Sequence, residues 1–370
     1  MALTNFAALT TEQKKVWVRD LWRQARSKMF INKFLGTGHD SVVEHITALT
    51  KTTNGDQAVI QLIADLGEDG VTDDYTLEGN EEAMKAYDQV VKIDQLRHAV
   101  RSKGKMADQR STVRFRNNAK DQLAFWLADR IDQAAFLTLS GITYDNTNSG
   151  ATRAVKATGQ NLKDLAFAAD VTAPTDARHL RVSGNKLVAG NTASITANDR
   201  LGYRHIVELK AYARDNYIRG TGANNDKYHL FLTPAGLAQL KLDPDFMANA
   251  RAVNINYNQN ILFGGSTEML VVDGVYIHEY HHVFNTRRAT TGKKWGAAGA
   301  IDGQRVLFCG AQALAFADIG AGEWEEDTFD YHNQQGISYG KIFGLRKPVF
   351  MDKVSGKKQD FGVIALDTAI

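Results

Sequence analysis

Two strand-like runs, Gln57–Leu66 (QAVIQLIADL) and Tyr87–Val100 (YDQVVKIDQLRHAV), stand either side of a polar stretch that holds Gly67, Gly70 and Gly79. Runs rich in β-branched and apolar residues, bounded by glycines, read as a long two-stranded ribbon with a wide tip. This feature constrains the chain most, because an isolated ribbon has too little surface on which to bury its apolar face and is marginal in water. It asks for a partner, most simply a second copy of the same chain.

Charge sharpens the point. Between Asp65 and Glu82 the acids are Asp65, Glu68, Asp69, Asp73, Asp74, Glu78, Glu81 and Glu82, with no Lys or Arg among them. Between Arg97 and Lys120 the bases are Arg97, Arg101, Lys103, Lys105, Arg110, Arg114, Arg116 and Lys120, against the single acid Asp108. Blocks this close in sequence can pair within one chain. An extended ribbon instead carries its acidic tip away from its own base, so the tip is expected to meet the basic base of a neighbouring copy, an arrangement that sets register and rejects wrong partners.

Before the ribbon, Thr10–Phe34 reads as an amphipathic basic helix. Thr10 and Gln13 fit a capping box, Val18, Leu21, Trp22, Ala25 and Met29 recur at helical spacing, and Gly36 and Gly38 supply the stop. Its charged face is either solvated or the side of an arm that lies on a neighbour or faces packaged nucleic acid. After the ribbon, Asn118–Leu139 is the longest clear helix, striped by Ala119, Leu123, Trp126, Leu127, Ile131, Ala134 and Leu137, capped by Asn117 or Asn118 and stopped by Gly141. Ile142–Gly190 is weakly patterned. A helix over Asp199–Tyr217 follows, then strand Tyr228–Leu232, and a short helix opened by Thr233 and Pro234 that runs to Leu240. Met269–Val272 and Val275–Val283 make a hairpin about Asp273-Gly274. A basic loop spans Asn285–Ala300, Arg305–Ile319 returns as strand, and Gly336–Ile370 reads as more strands. Strands and helices without βαβ alternation predict an α+β fold.

Composition enters mainly through what it excludes. The 370 residues suffice for two compact domains or three, with 44% hydrophobic residues in the globular range. Cys309, the single cysteine, excludes an intramolecular disulfide, and a net charge of +2 argues against a dedicated nucleic-acid binder. No signal-like leader or membrane-length apolar run is evident, so a soluble, non-exported protein is expected.

Chemistry-bearing motifs are weak. His278-Glu279-Tyr280-His281-His282 is out of register for a zincin HExxH and lies on a predicted strand, where His278, Tyr280 and His282 share one face; structural histidines are expected. Asp65–Gly70 lacks the acids of a calcium loop, and Glu323–Asp327 reads as a solvated turn or an intersubunit contact. Gly36-Thr37-Gly38 is no dinucleotide loop, and Cys309, inside VLFC, is expected in the core. No catalytic residue, metal ligand or cofactor is expected.

The order of these pieces resembles the major capsid proteins of tailed phages, with the Hong Kong-type fold shared by tailed phages and herpesviruses, and within them the short-tailed coliphage-like group. The resemblance rests on Gly55–Val100 followed directly by the Asn118–Leu139 helix, and on the Thr233-Pro234 unit and the Asp273-Gly274 hairpin. The phrases LFCGAQALAFADIG (Leu307–Gly320) and YHNQQGISYGKIFG…DFGVIALDTA (Tyr331–Ala369) add to it. It implies an N-terminal arm (1–52), an extended loop (53–100), a peripheral domain on a spine helix (101–142), an axial domain (143–317) and a return to the peripheral domain (318–370). It further implies hexamers and pentamers that close an icosahedral head around double-stranded DNA, the extended loop of each copy lying across its neighbour. With the first helix beginning near Thr11, a separate scaffolding protein is expected, together with a portal, while a decoration protein is left open; DNA lies near by non-specific proximity only. No Lys–Asn cross-link is expected. Rival readings are an encapsulin-type compartment shell, a metal-dependent enzyme built on His278–His282, and a monomeric binding module.

Overall fold

The computed structural model describes residues 25, 28–47, 55–63, 69–84, 86–110, 115–154, 161–222, 224–252, 270–351 and 356–370. In chain order the strands are β1 (Leu35–Gly36), β2 (Val43–Ile46), β3 (Gln57–Ile63), β4 (Ala86–Lys92), β5 (Asp94–Arg101), β6 (His179–Ser183), β7 (Lys186–Ala189), β8 (Tyr228–Leu232) and β9 (Leu270–Val272). They continue with β10 (Val275–Glu279), β11 (Gly303–Cys309), β12 (Leu314–Asp318), β13 (Glu323–Phe329), β14 (Gln334–Arg346), β15 (Val349–Met351), β16 (Lys358–Asp360) and β17 (Val363–Ala369). Helices cover Lys105–Arg110, Phe115–Ser140, Tyr203–Asp215, Pro234–Leu242 and Pro244–Ala252. The α+β expectation holds.

Two sheets organise the molecule. The first runs β1-β2-β12-β14-β13, with β5 on the far edge of β14. The second runs β7-β6-β17-β11-β8-β10-β9. Phe115–Ser140, the spine helix, lies against the first sheet: Leu123, Leu127, Ile131 and Ala134 share a buried cluster with Ile337, Tyr339, Phe343 and Leu345 of β14. Its 26 residues span about 39 Å at the helical rise of ~1.5 Å per residue. Gly141 at φ +64° ends it, where a Cβ would come within 2.5 Å of the Thr172 carbonyl. Asn117 and Asn118, expected as caps, lie inside the helix.

The second sheet is covered on both faces. Alternate residues of β11 go to opposite sides, Leu307 and Cys309 toward the spine-helix cluster, Val306 and Phe308 toward the cluster under the Tyr203–Asp215 helix. Burial on both sides is why these strands read as unbroken apolar runs rather than alternating ones. Charged side chains caught there are paired: Arg305 and Asp367, opposed in register, meet at 2.7 Å, and His179 reaches Asp367 at 2.7 Å. Asp273 (φ 47°) and Gly274 (φ 75°) make the expected hairpin turn, and the Thr233 hydroxyl accepts the Gly236 N–H as N-cap.

Several expectations change. The helix read to Phe34 gives way to a single 3-10 turn over Ile31–Phe34, and residues 1–24 lie outside the described residues. The ribbon is shorter than expected: β3 pairs with β4 only, and after Ile93 the chain joins the first sheet as β5, paired with β14. One face of the ribbon is also covered by its own chain, for Ala58, Ile60 and Val91 pack with Ala315, Ala317 and Phe350. Glu323–Asp327, read as a solvated turn or an intersubunit contact, is an edge strand whose alternation buries Trp324 alone. β6 and β7 form a hairpin inside the stretch read as weakly patterned. The boundary at residue 317 falls within β12, a first-sheet strand, and the chain ends in the second sheet as β17.

Candidate functional site

The tip of the ribbon is what its own chain leaves uncovered. From residue 69 to 84 the chain forms no ladder and bonds mainly to itself, Tyr75 N–H to the Thr72 carbonyl and Asn80 N–H to the Leu77 carbonyl. Asp69, Asp73, Asp74, Glu78 and Glu81 are exposed, Glu82 is half-buried, and Asp65 and Glu68 lie outside the described residues. Among the described residues no ion pair reaches Asp69, Asp73, Asp74, Glu78 or Glu81. Three large apolar side chains stand among these acids: Tyr75 is 77% exposed, Leu77 63% and Met84 75%. Such side chains clustered on one loop mark a contact surface rather than a solvated one. Their presence in an acidic stretch was the sequence signal that charge counting passed over.

The basic region divides. Arg97 and Arg101 project from the exposed face of β5, and Arg101 lies 4.1 Å from the Phe329 ring centroid. Arg110 ends the Lys105–Arg110 helix, which buries none of its residues and leaves Met106 64% exposed. Arg116 is engaged within the chain, its guanidinium donating twice to Glu326 Oε1 (2.8 and 3.0 Å) and once to Oε2 (2.9 Å). It therefore drops out of the expected contact set. Arg114 lies outside the described residues. Cross-strand register places Arg97, Gly340 and Glu323 in one row, and Arg101, Gly336 and Asp327 in another. Side chains in such a row share a face. This part of the sheet thus shows a basic rail, a small-residue centre and an acidic rail. Tip and rail are separated by all of β4, about 20 Å at ~3.3 Å per residue.

The histidine expectation also divides. β10 ends at Glu279, so the two-residue alternation does not carry from His278 to His282. His278 Nε2 meets His229 Nδ1 at 3.0 Å among Phe34 and Phe231, and desolvation lowers both histidine pKa values to about 4. His282 Nε2 instead meets Asp129 Oδ1 of the spine helix at 2.7 Å. Burial works against the charge on Asp129, but the His282 hydrogen bond and the charges of His282 and Arg130 outweigh it and hold the carboxyl below its usual range. Cys309 is fully buried, and burial pushes its thiol pKa up, as befits a core residue.

A spine helix backed by a sheet, a hairpin with an uncovered tip, and a second sheet enclosed on both faces are the parts expected of a tailed-phage capsid subunit. The comparisons agree. The phage capsid protein family matches residues 5–370. The major capsid protein of Pseudomonas phage KPP25 is 50% identical over 367 residues, covering 98% of this chain and 96% of that one. The capsid of Ralstonia phage GP4 is similar in structure, with a TM-score of 0.72, 25% identity, and coverage of 92% of this chain and 90% of that one. The cyanophage Pam1 capsid superposes at 0.69 with 19% identity, covering 100% and 96%, and so shares the fold. The chain belongs to the phage capsid protein family, and its role is that of a structural shell subunit. The encapsulin reading is not favoured.

Proposed function

We propose that this major capsid subunit assembles into hexamers and pentamers through its ribbon tip, which docks on the β5 edge and the Lys105–Arg110 helix of a neighbouring copy. The observation that carries this reading is the double mismatch on the surface. One loop exposes Tyr75, Leu77 and Met84 among acids, and one basic edge exposes Arg97, Arg101 and Met106. Each supplies the charge and the apolar contact that the other lacks. Contacts of this kind are heterologous and close into rings only when the rotation allows. The acidic β13 rail fixes which edge is approached, a repulsive element that serves specificity. Asp69, Asp73, Asp74, Glu78, Glu81 and Glu82 form the tip side, and Arg97, Arg101 and Arg110 the receiving side.

In this reading the spine helix and first sheet form the peripheral domain, and the second sheet forms the axial domain around each capsomer centre. Assembly takes place in the host cytoplasm with a separate scaffolding protein and a portal. Packaged double-stranded DNA is met without a dedicated basic face, in keeping with the net charge of +2. Replacing Asp73, Asp74 and Glu78 with Lys tests the contact: the chain should keep its circular dichroism spectrum yet form no shells by negative-stain microscopy, and adding Arg97→Glu with Arg101→Glu should restore some particles. Normal particles from the triple-Lys variant would contradict the contact.

A further inference from the structure

The turn that follows β10 brings two imidazoles against the spine helix. Asp129, His281 and His282 each offer a ligating atom, and these atoms lie within 4.8 Å of one another. The geometry points to a binding site for a borderline divalent cation, of the zinc, nickel or copper kind, held by Asp129 Oδ1 and one nitrogen of each histidine. It goes beyond the shell reading and does not depend on assembly.

Placement is fixed from both sides before any ion arrives. Asn148 Nδ2 donates to the His282 carbonyl at 2.6 Å and to the Gln133 carbonyl at 3.3 Å, tying the turn to the helix. Tyr280 Oη donates to Asp132 Oδ2 at 2.7 Å, one helical turn from Asp129. The two histidine rings lie 4.0 Å apart between centroids. Gln133 Nε2 donates to Asp129 Oδ2 at 2.9 Å, and Arg130 approaches that same oxygen at 3.6 Å, which leaves Oδ1 facing the imidazoles. A tetrahedral zinc with ligand bonds near 2.0–2.1 Å sets its donors about 3.3 Å apart, so His281 must draw in by roughly 1.5 Å at most, while His282 Nε2 and Asp129 Oδ1, at 2.7 Å, open slightly to admit the ion. Rotation of His281, whose side chain is exposed, supplies that movement. Imidazole donors select zinc, nickel or copper over magnesium or calcium. The fourth position faces solvent through His281 and takes water.

The full-length chain, stripped with a chelator and dialysed, is titrated calorimetrically with zinc chloride, with cobalt(II) as a visible-band probe of tetrahedral geometry. One zinc per chain is expected, with a raised melting temperature, tetrahedral cobalt bands and no competition from magnesium. His281→Ala should weaken binding by more than about 100-fold, beyond the loss typical of an outer partner. Because His281 is exposed, this variant keeps the fold, which circular dichroism checks. Asp129→Asn should act in the same direction, and His332→Ala at the remote β13–β14 turn should leave binding unchanged. Absence of zinc binding by the wild-type chain, or unchanged affinity in His281→Ala, overturns the site and leaves an ordinary His282–Asp129 hydrogen bond.

Discussion

Lys347 Nζ and Asp360 Oδ2 meet at 2.8 Å with 1% of each side chain exposed. Burial lowers the lysine pKa and raises that of the aspartate, each opposed by its partner's charge. A pair like this contributes little net stability, but removing one partner strands the other, at about 3–5 kcal/mol. Lys347→Ala should cost that much in denaturant unfolding of the unassembled chain, and Lys347→Met with Asp360→Leu should recover most of it. The stacked pair His229 and His278 gives a pH prediction. Both fold with pKa values near 4, from burial first and then from Lys227 for His229, and from His229 and Lys33 for His278. The unfolded chain takes up protons near pH 6.5, so stability is complete above that value and falls as pH drops toward 4, by on the order of 3 kcal/mol for each group taken alone. Melting temperature should fall through this window, and His278→Phe should flatten the curve. At this scale the sequence was partly legible. Cys309 in the core followed from its apolar neighbours. Arg116 and His282 did not, because their partners Glu326 and Asp129 lie 210 and 153 positions away.

Elements were legible where a local rule decides them. The spine helix shows its stripe and stop, the Asp273-Gly274 turn needs positive φ, and Thr233 caps a helix opened by Pro234. Gly141→Ala should cost more than the ~1 kcal/mol typical of a glycine in the left-handed region, since its Cβ would also meet the Thr172 carbonyl and Pro174. Thr233→Ala should cost about 1–2 kcal/mol, because the Gly236 N–H loses its cap and Gln304 Oε1 loses the hydroxyl donor. Thermal unfolding checks both. Elements that depend on distant pairing were not legible. Tyr87–Val100 reads as one strand, yet its halves serve different partners: β4 pairs with β3, and β5 with β14 from Gly336 to Phe343. Glu323–Asp327 is too acidic to read as a strand, yet charge is how an exposed edge strand avoids unwanted pairing.

At the scale of the molecule, the sequence carried the α+β class and the order of ribbon, helix and strands. The exchange of strands between sheets was beyond it: β12 to β14 return to the first sheet, and β17 then closes the second between β6 and β11. Nothing local marks such a crossing, since apolar runs buried on both faces look alike in either sheet. The ribbon also proved less unsatisfied than its sequence suggests, because Ala58, Ile60 and Val91 are covered at home. What remains uncovered is the tip, and the account of assembly rests on it. Cryo-electron microscopy of the assembled shell, at a resolution that traces side chains, tests this most directly. The account predicts residues 69–84 of one copy seated on Arg97, Arg101 and the Lys105–Arg110 helix of its neighbour, with Tyr75, Leu77 and Met84 buried there. A tip that folds back on its own subunit, or stands in solvent with those three side chains still exposed, would contradict it.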